Sequence, residues 1–316
     1  MPPTTLKPDP SRAWQPGLAK ELVAAFAQAH ATYNAADYGS SAWLGLDSAA
    51  GQQGDPSAAL NFCAAATLQT GSVAAQNAVA AANARTAPIP GLPHARFEIL
   101  SGRARERYTA LGLTLTKTLP REGAAALFGD ALDLLAAGPG LREAVEALVQ
   151  RLHPLVPRGP GYDSSHSDPE LPFSIFVSIP DGEPAAALRL AESILHEAMH
   201  LQLSLVEARE PLVRQPQPGE RAATGYSPWQ DTERPIGGLI HGLFVFRVIF
   251  DWLDALSANH PHDREIAHYA ARRRIEIGQE VESLGDLAAS PTLTAHGKRL
   301  VSDWLSCVRI AQAGQG

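Results

Sequence analysis

Apolar residues along the chain recur mainly at helical spacing. Leu18, Leu22, Val23, Phe26 and His30 share one face and predict a helix over residues 16–37. The Ala-rich stretch 57–87 predicts one or two more, with Gly71 as a break. A joint marked by Pro and Gly, IPGLPHARFEIL, follows. Two amphipathic helices are then expected at 121–137 and 141–152, split by Gly138-Pro139-Gly140. Periodicity fails in VPRGPGYDSSHSDPELP, residues 156–172, where Pro, Gly, Ser and Asp crowd together. Beyond it, FSIFVSI (173–179) is the best strand candidate. Pro184 suits the first turn of a long helix that should stop before Pro211. A polar loop over 211–234 leads to a strongly apolar helix at 235–257, and helices at 262–284 and 292–313 finish the chain. The expectation is a mainly α fold, a multi-helix domain with a small β element ahead of the long helix. Residues 1–157 would form a helical half suited to binding a peptide and 158–316 a half holding the chemistry, in one continuous globular unit.

Composition narrows the function. Apolar residues make up 45% of the 316, so a core is available. The net charge is −7, and the one basic run, Arg272 to Arg274, is followed by Glu276 and Glu280. Nucleic acid and anionic membranes are poor partners for such a surface. Two distant cysteines, Cys63 and Cys307, build neither a disulfide framework nor a thiolate metal site, and are expected as buried thiols. The N-terminal residues show no signal-peptide pattern and no apolar run reaches 18 residues, so a cytoplasmic protein is expected.

The long helix carries the chemistry. It contains SILHEAMHLQLSLVE, in which His196 and His200 lie four apart with Glu197 beside the first. Residues so spaced project from one side of a helix, one turn apart, and can grip one ion. The helix is otherwise apolar, and two imidazoles in a core need a partner. The metzincin continuation is missing, because Leu203 and Val206 stand where Gly and His would be required. Glu207 lies on the histidine face but about 10 Å further along the axis, too far for the same ion. Glu220, Glu233 and His241 remain as third-ligand candidates. His241 is favoured, since it sits in the apolar RPIGGLIHGLFVFRVIF among Gly237, Gly238 and Gly242. One His-x-Asp, His166 to Asp168, falls in the Pro/Gly-rich stretch and reads as turn chemistry.

LHEAMH after a short strand, followed by YSPWQDTERPIGGLIHGLFVF with its Ser-Pro-Trp, Arg-Pro and His-Gly in that order, resembles the HEXXH-motif peptide-modification family of ribosomal-peptide gene clusters. The resemblance covers roughly residues 163–250. It implies an iron(II)- and 2-oxoglutarate-dependent dioxygenase that hydroxylates a β-carbon in a ribosomally made precursor peptide, using O2. Carried over, His196, His200 and His241 would hold Fe(II), and Glu197 would orient a ligand or a water. The cosubstrate's far carboxylate calls for an arginine fork. Arg234 is the first choice and Arg247, buried among aromatic residues, the second. Tyr226, Ser227 and Trp229 would line the pocket. The alternative is a zinc metallopeptidase, in which Glu197 takes the proton of a metal-bound water.

Overall fold

The computed structural model describes residues 85–168, 171, 173–217 and 219–313. The helix expected at 16–37, most of that at 57–87, and the side chains of Cys63 and Cys307 lie outside the described residues. The described chain divides into two compact units, 85–205 and 206–313. The expected boundary at 157/158 lies inside the first of them.

The first unit is built on a five-stranded mixed sheet. Strands β1 (Thr86–Ile89) and β2 (Leu92–Glu98) form a hairpin in which Ile89 pairs with Leu92. Pro90 and Gly91 make its turn; Gly91 has φ +80, which the third position of a type II turn demands. Helices α1 (Gly102–Ala110), α2 (Glu122–Leu135) and α3 (Leu141–Leu148) follow. Then come β3 (Arg151–Leu155), β4 (Ser165–Ser167), β5 (Ser174–Ser178) and the long helix α4 (Ala186–Arg209). The order across the sheet is β1-β2-β3-β5-β4, with β2, β3 and β5 parallel and both edge strands antiparallel.

Register decides which face each side chain takes. Phe176 on β5 lies opposite His153 on β3 and His166 on β4. Those two rings stand 4.7 and 5.8 Å from Phe176, and Tyr108 of α1 packs on the same face at 4.6 Å. Residues one step along, Leu152, Ile175 and Ser167, therefore point to the other face. Phe97, paired with Leu152, shares that face and meets Phe128 of α2 edge-on at 4.8 Å.

The second unit has a two-stranded hairpin, β6 (Thr224–Ser227) and β7 (Thr232–Pro235). Three mutually packed helices complete it: α5 (Ile236–Asn259), α6 (Arg264–Ser283) and α7 (Ala295–Ala313). Asp263 caps α6 by accepting from the backbone N–H groups of Glu265 and Ile266. Arg274 of α6 reaches Asp254 of α5 at 2.7 Å and lies over Phe250. α5 is long and apolar enough to cross a membrane, yet 78% of its most apolar window is buried inside the protein.

The described residues are rich in helix, as expected, but they form a mixed α/β fold rather than a multi-helix domain with a small β element. The helix expected to reach residue 152 ends at Leu148, because Arg151–Leu155 turns extended and joins the sheet. The joint before residue 100 is the β1–β2 hairpin. The stretch read as turn chemistry holds edge strand β4, and the polar loop before residue 235 holds β6 and β7.

Candidate metal centre

α4 begins once the chain leaves β5 through Pro180-Asp181-Gly182. Arg189 secures its first turns, bonding Asp163 through two 2.8 Å contacts and Glu183 at 3.2 Å. Leu190, Ala191, Ile194, Leu195, Ala198 and Met199 are fully buried and hold the helix in place. On the remaining side, His196 and His200 bring their Nε2 atoms to 3.1 Å, with ring centroids 4.8 Å apart and planes at 70°. Two lone pairs cannot face one another at that distance, so the nitrogens share either a proton or a cation. Nitrogens each about 2.0–2.1 Å from one ion at 90–110° would stand roughly 2.8–3.4 Å apart. The pair fits a metal ion without rearrangement. The His196 side chain is 25% exposed, so small molecules can reach this point.

Glu197 is the buried member of the motif, 3% exposed. Ser167 of β4 donates its hydroxyl to Glu197 Oε2 at 2.6 Å. The other oxygen, Oε1, lies 3.9 Å from His196 Nε2. The carboxylate is thus tethered by one oxygen and turned toward the histidine nitrogens by the other. Among the described residues, no set of three or more His, Cys, Asp or Glu side chains is gathered around one point.

His241 lies in the second turn of α5, where its Nε2 is 2.8 Å from Glu207 Oε2. Bonding to a carboxylate requires that nitrogen to carry the proton, which leaves the lone pair of a neutral ring on Nδ1. A metal-ligating histidine commonly shows this arrangement, with one nitrogen on a carboxylate and the other on the metal. Of the rival third ligands, Glu220 is clamped by Arg214 at 2.5 and 2.8 Å and by the Gln217 N–H at 2.9 Å. The Arg214 guanidinium, with the Gln217 N–H, pulls its carboxyl down to about 2. Glu233 sits exposed on β7, opposite Tyr226.

Arg234, next to last in β7, has its guanidinium beside Gly238, where an added Cβ would lie 3.4 Å from Nε. Among the described residues it has no ion-pair partner, so the loop pairing with Asp231 or Glu233 that would have neutralised it is not made. Gly238 precedes His241 by three positions and shares its side of α5, which puts Arg234 and His241 on one stripe. Arg247 is buried at 6% exposure, and its guanidinium is already paired with Asp251 one turn on. Tyr226 donates to Asp231 at 2.7 Å, which raises its own phenol pKa; Ser227 is buried beside it. Trp229 stacks on Phe246, bonds Glu280 through its indole N–H at 3.0 Å, and covers Gly242.

Two contacts were not foreseen in the sequence. Ser167 enters the sequence reading only as the middle of the His-x-Asp turn; in the structure the three residues diverge. His166 packs against Phe176 and Tyr108, Asp168 accepts from Arg107 and Tyr108, and Ser167 turns to Glu197. Axial distance places Glu207 too far along α4 to share an ion with His196 and His200, and the sequence gives no sign of its hydrogen bond to His241. Strand alternation would have found the first contact; nothing local signals the second. No family model matches the chain, and no curated protein matches it in sequence.

Proposed function

We propose that this protein is a non-haem iron(II)- and 2-oxoglutarate-dependent hydroxylase acting on the β-carbon of a residue in a ribosomally synthesised peptide. The observation that carries the metal reading is the 3.1 Å approach of His196 Nε2 to His200 Nε2 on a helix face that small molecules can reach. His196 and His200 hold the ion; the family resemblance assigns His241 as a further ligand, and Glu207 sets the tautomer of that ring. An all-histidine set departs from the 2-His-1-carboxylate triad, but a 2-oxo acid brings negative charge of its own. When bound, iron and 2-oxoglutarate supply the oxidation: one atom of O2 enters the substrate C–H bond, the other enters succinate, and CO2 leaves.

The chain's own residues do the positioning. Arg234, a guanidinium with no described ion-pair partner on the His241 stripe of α5, takes the cosubstrate's far carboxylate in a two-pronged grip. Glu197, tethered at Oε2, uses Oε1 to hold a water or a ligand N–H next to the histidines. Tyr226, Ser227 and Trp229 belong to the β6–β7 hairpin, whose loop Trp229 pins to α5 at Gly242 and so keeps in place beside Arg234.

Zinc-dependent peptide hydrolysis is the second reading. It draws support from Glu197 Oε1 standing 3.9 Å from His196 Nε2, a position from which a carboxylate could take a proton from metal-bound water. Metal analysis of the purified protein, then anaerobic Fe(II) loading and assay with 2-oxoglutarate and the precursor peptide encoded nearby, separates the two. Peptide-stimulated succinate together with one added oxygen in the peptide supports the hydroxylase. Cleavage by the zinc form, abolished by Glu197→Gln, refutes it.

A further inference from the structure

We infer that Ser167, on edge strand β4, is a positioning residue for Glu197 that holds its carboxylate with one oxygen turned toward the metal pair. The inference rests on the metal reading of His196 and His200 and adds to it a residue from outside the motif.

Three observations carry it. First, the sheet register leaves Ser167 no choice of face. His166 pairs with Phe176 and packs among the rings of Phe176 and Tyr108, so Ser167, paired with Ile175, must point to the opposite face, where Glu197 lies. Second, the contact is short, 2.6 Å from Oγ to Oε2, in the range of a hydroxyl donating to an ionised carboxylate. Third, Glu197 is 3% exposed, and among the described residues this hydroxyl is its one hydrogen-bond donor. A buried carboxylate without that donor would turn to find another, because an unsatisfied charge at that depth is costly. With Oε2 committed to Ser167, Oε1 is the oxygen left facing His196 Nε2.

A serine at this place therefore does what helix geometry cannot. The backbone of α4 sets the position of the Glu197 Cα, but rotation about the side-chain torsions would carry the carboxylate away from the histidines. Ser167 selects one orientation from a separate element. Such supporting partners typically change metal affinity or activity about tenfold to a hundredfold when removed.

The test uses cobalt(II) as a spectroscopic probe on the full chain, without substrate. Wild type, Ser167→Ala, Ser167→Thr, Glu197→Gln, the double variant Ser167→Ala/Glu197→Gln, and His196→Ala are titrated, following the cobalt ligand-field bands. Expected results are one cobalt per chain in wild type, bands shifted and affinity about tenfold weaker in Ser167→Ala, and both restored in Ser167→Thr. In the Glu197→Gln background, Ser167→Ala should add less than about twofold, since the two residues act as one. Matching far-ultraviolet dichroism and melting temperature exclude a folding defect, and Ser167→Thr keeps the test open if the alanine variant is unstable. Wild type-like bands and affinity in Ser167→Ala, or an effect of Ser167→Ala that persists in full in the Glu197→Gln background, overturn the role of Ser167 and leave the metal pair standing. Absence of cobalt binding to wild type, or binding that survives His196→Ala, overturns the metal reading itself and Ser167 with it.

Discussion

Gly242→Ala tests how the hairpin that carries Trp229 is seated on α5. A Cβ built at Gly242 would lie 2.6 and 2.9 Å from Trp229 Cε3 and Cη2, and closer still to Cζ3. Carbon atoms in good contact stand about 3.5–4.0 Å apart, so the overlap is near an ångström against three ring atoms. The ring cannot withdraw cheaply. Phe246 stacks on it at 5.1 Å between centroids, and Glu280 holds its N–H at 3.0 Å. Either the indole leaves both partners or α5 shifts. Overpacking of this kind costs about 1–3 kcal/mol, and with the ring held by two partners the upper half of that range, about 2–3 kcal/mol, is expected. Alanine's better helix propensity returns somewhat less than 1 kcal/mol. The net cost of about 1–2 kcal/mol should lower the melting temperature by roughly 2–4 °C in a chain of this length. The assay is chemical denaturation followed by tryptophan fluorescence and far-ultraviolet dichroism, run as a cycle with Trp229→Ala. In the Trp229→Ala background the same glycine substitution should be neutral or mildly stabilising, because the clashing ring is gone. Stability within about 0.5 kcal/mol of wild type for Gly242→Ala alone, or an equal cost in both backgrounds, would refute the packing described.

Other expectations follow from the same contacts. His196→Ala and His200→Ala should each abolish tight iron or cobalt binding, read by metal titration, while leaving the helical dichroism intact. Glu207→Gln should keep the fold but weaken metal affinity about tenfold through His241, and Glu207→Ala should weaken it further; equal affinities in all three proteins would remove Glu207 from the site. Arg234→Ala should raise the 2-oxoglutarate concentration needed for half-maximal succinate formation by tenfold or more, and Arg234→Lys should recover only part of that. Burial pushes the His153 imidazole below its usual pKa; the nearby Arg151 charge adds to this, while Glu98 opposes it. The folded protein therefore resists a proton that the unfolded chain accepts. The contribution is complete above pH about 6.5 and is lost as pH falls toward the folded value, at up to about 1.4 kcal/mol per pH unit. His153→Gln should flatten that slope in denaturation curves measured between pH 7 and 5.

The fold was legible where one period governs one element. Helix α2, the start of α4 after Pro184, and helices α5 to α7 were expected close to where they lie, since their apolar stripes are uninterrupted. β5, fully buried SIFVS, announced itself by β-rich composition. β3 did not. Leu141, Val145, Leu148, Val149 and Leu152 continue a helical spacing straight through the point where the chain turns extended, and RLHPL has no β-branched residue and contains a proline. It is a strand because β2 and β5 flank it on both sides, a condition set by residues far away in sequence. Two short edge elements failed for another reason. β4 is three residues long, and β1 meets β2 at a Pro-Gly turn whose flanks were too short to show alternation.

The candidate site shows the same split between local and distant information. One helix fixes the His196–His200 approach, so a spacing of four residues was enough to anticipate it. Whatever completes the site comes from other elements, and there spacing carries no signal. Glu207 makes the difference concrete. It lies on the histidine stripe of α4, two turns beyond His200, about 10 Å further along the axis. The same stripe nevertheless gives it a partner, because its Oε2 lies 2.8 Å from His241 Nε2. Its carboxylate bonds the imidazole of a helix that begins 29 residues later, after a hairpin. Ser167 stands in the same relation to Glu197, reached from a strand that precedes the motif helix. An HExxH helix therefore brings two imidazole nitrogens and a carboxylate together and says little about a reaction. The contacts that decide between an oriented carboxylate and a free base, or between a third histidine and a third carboxylate, are made by residues that the motif does not contain.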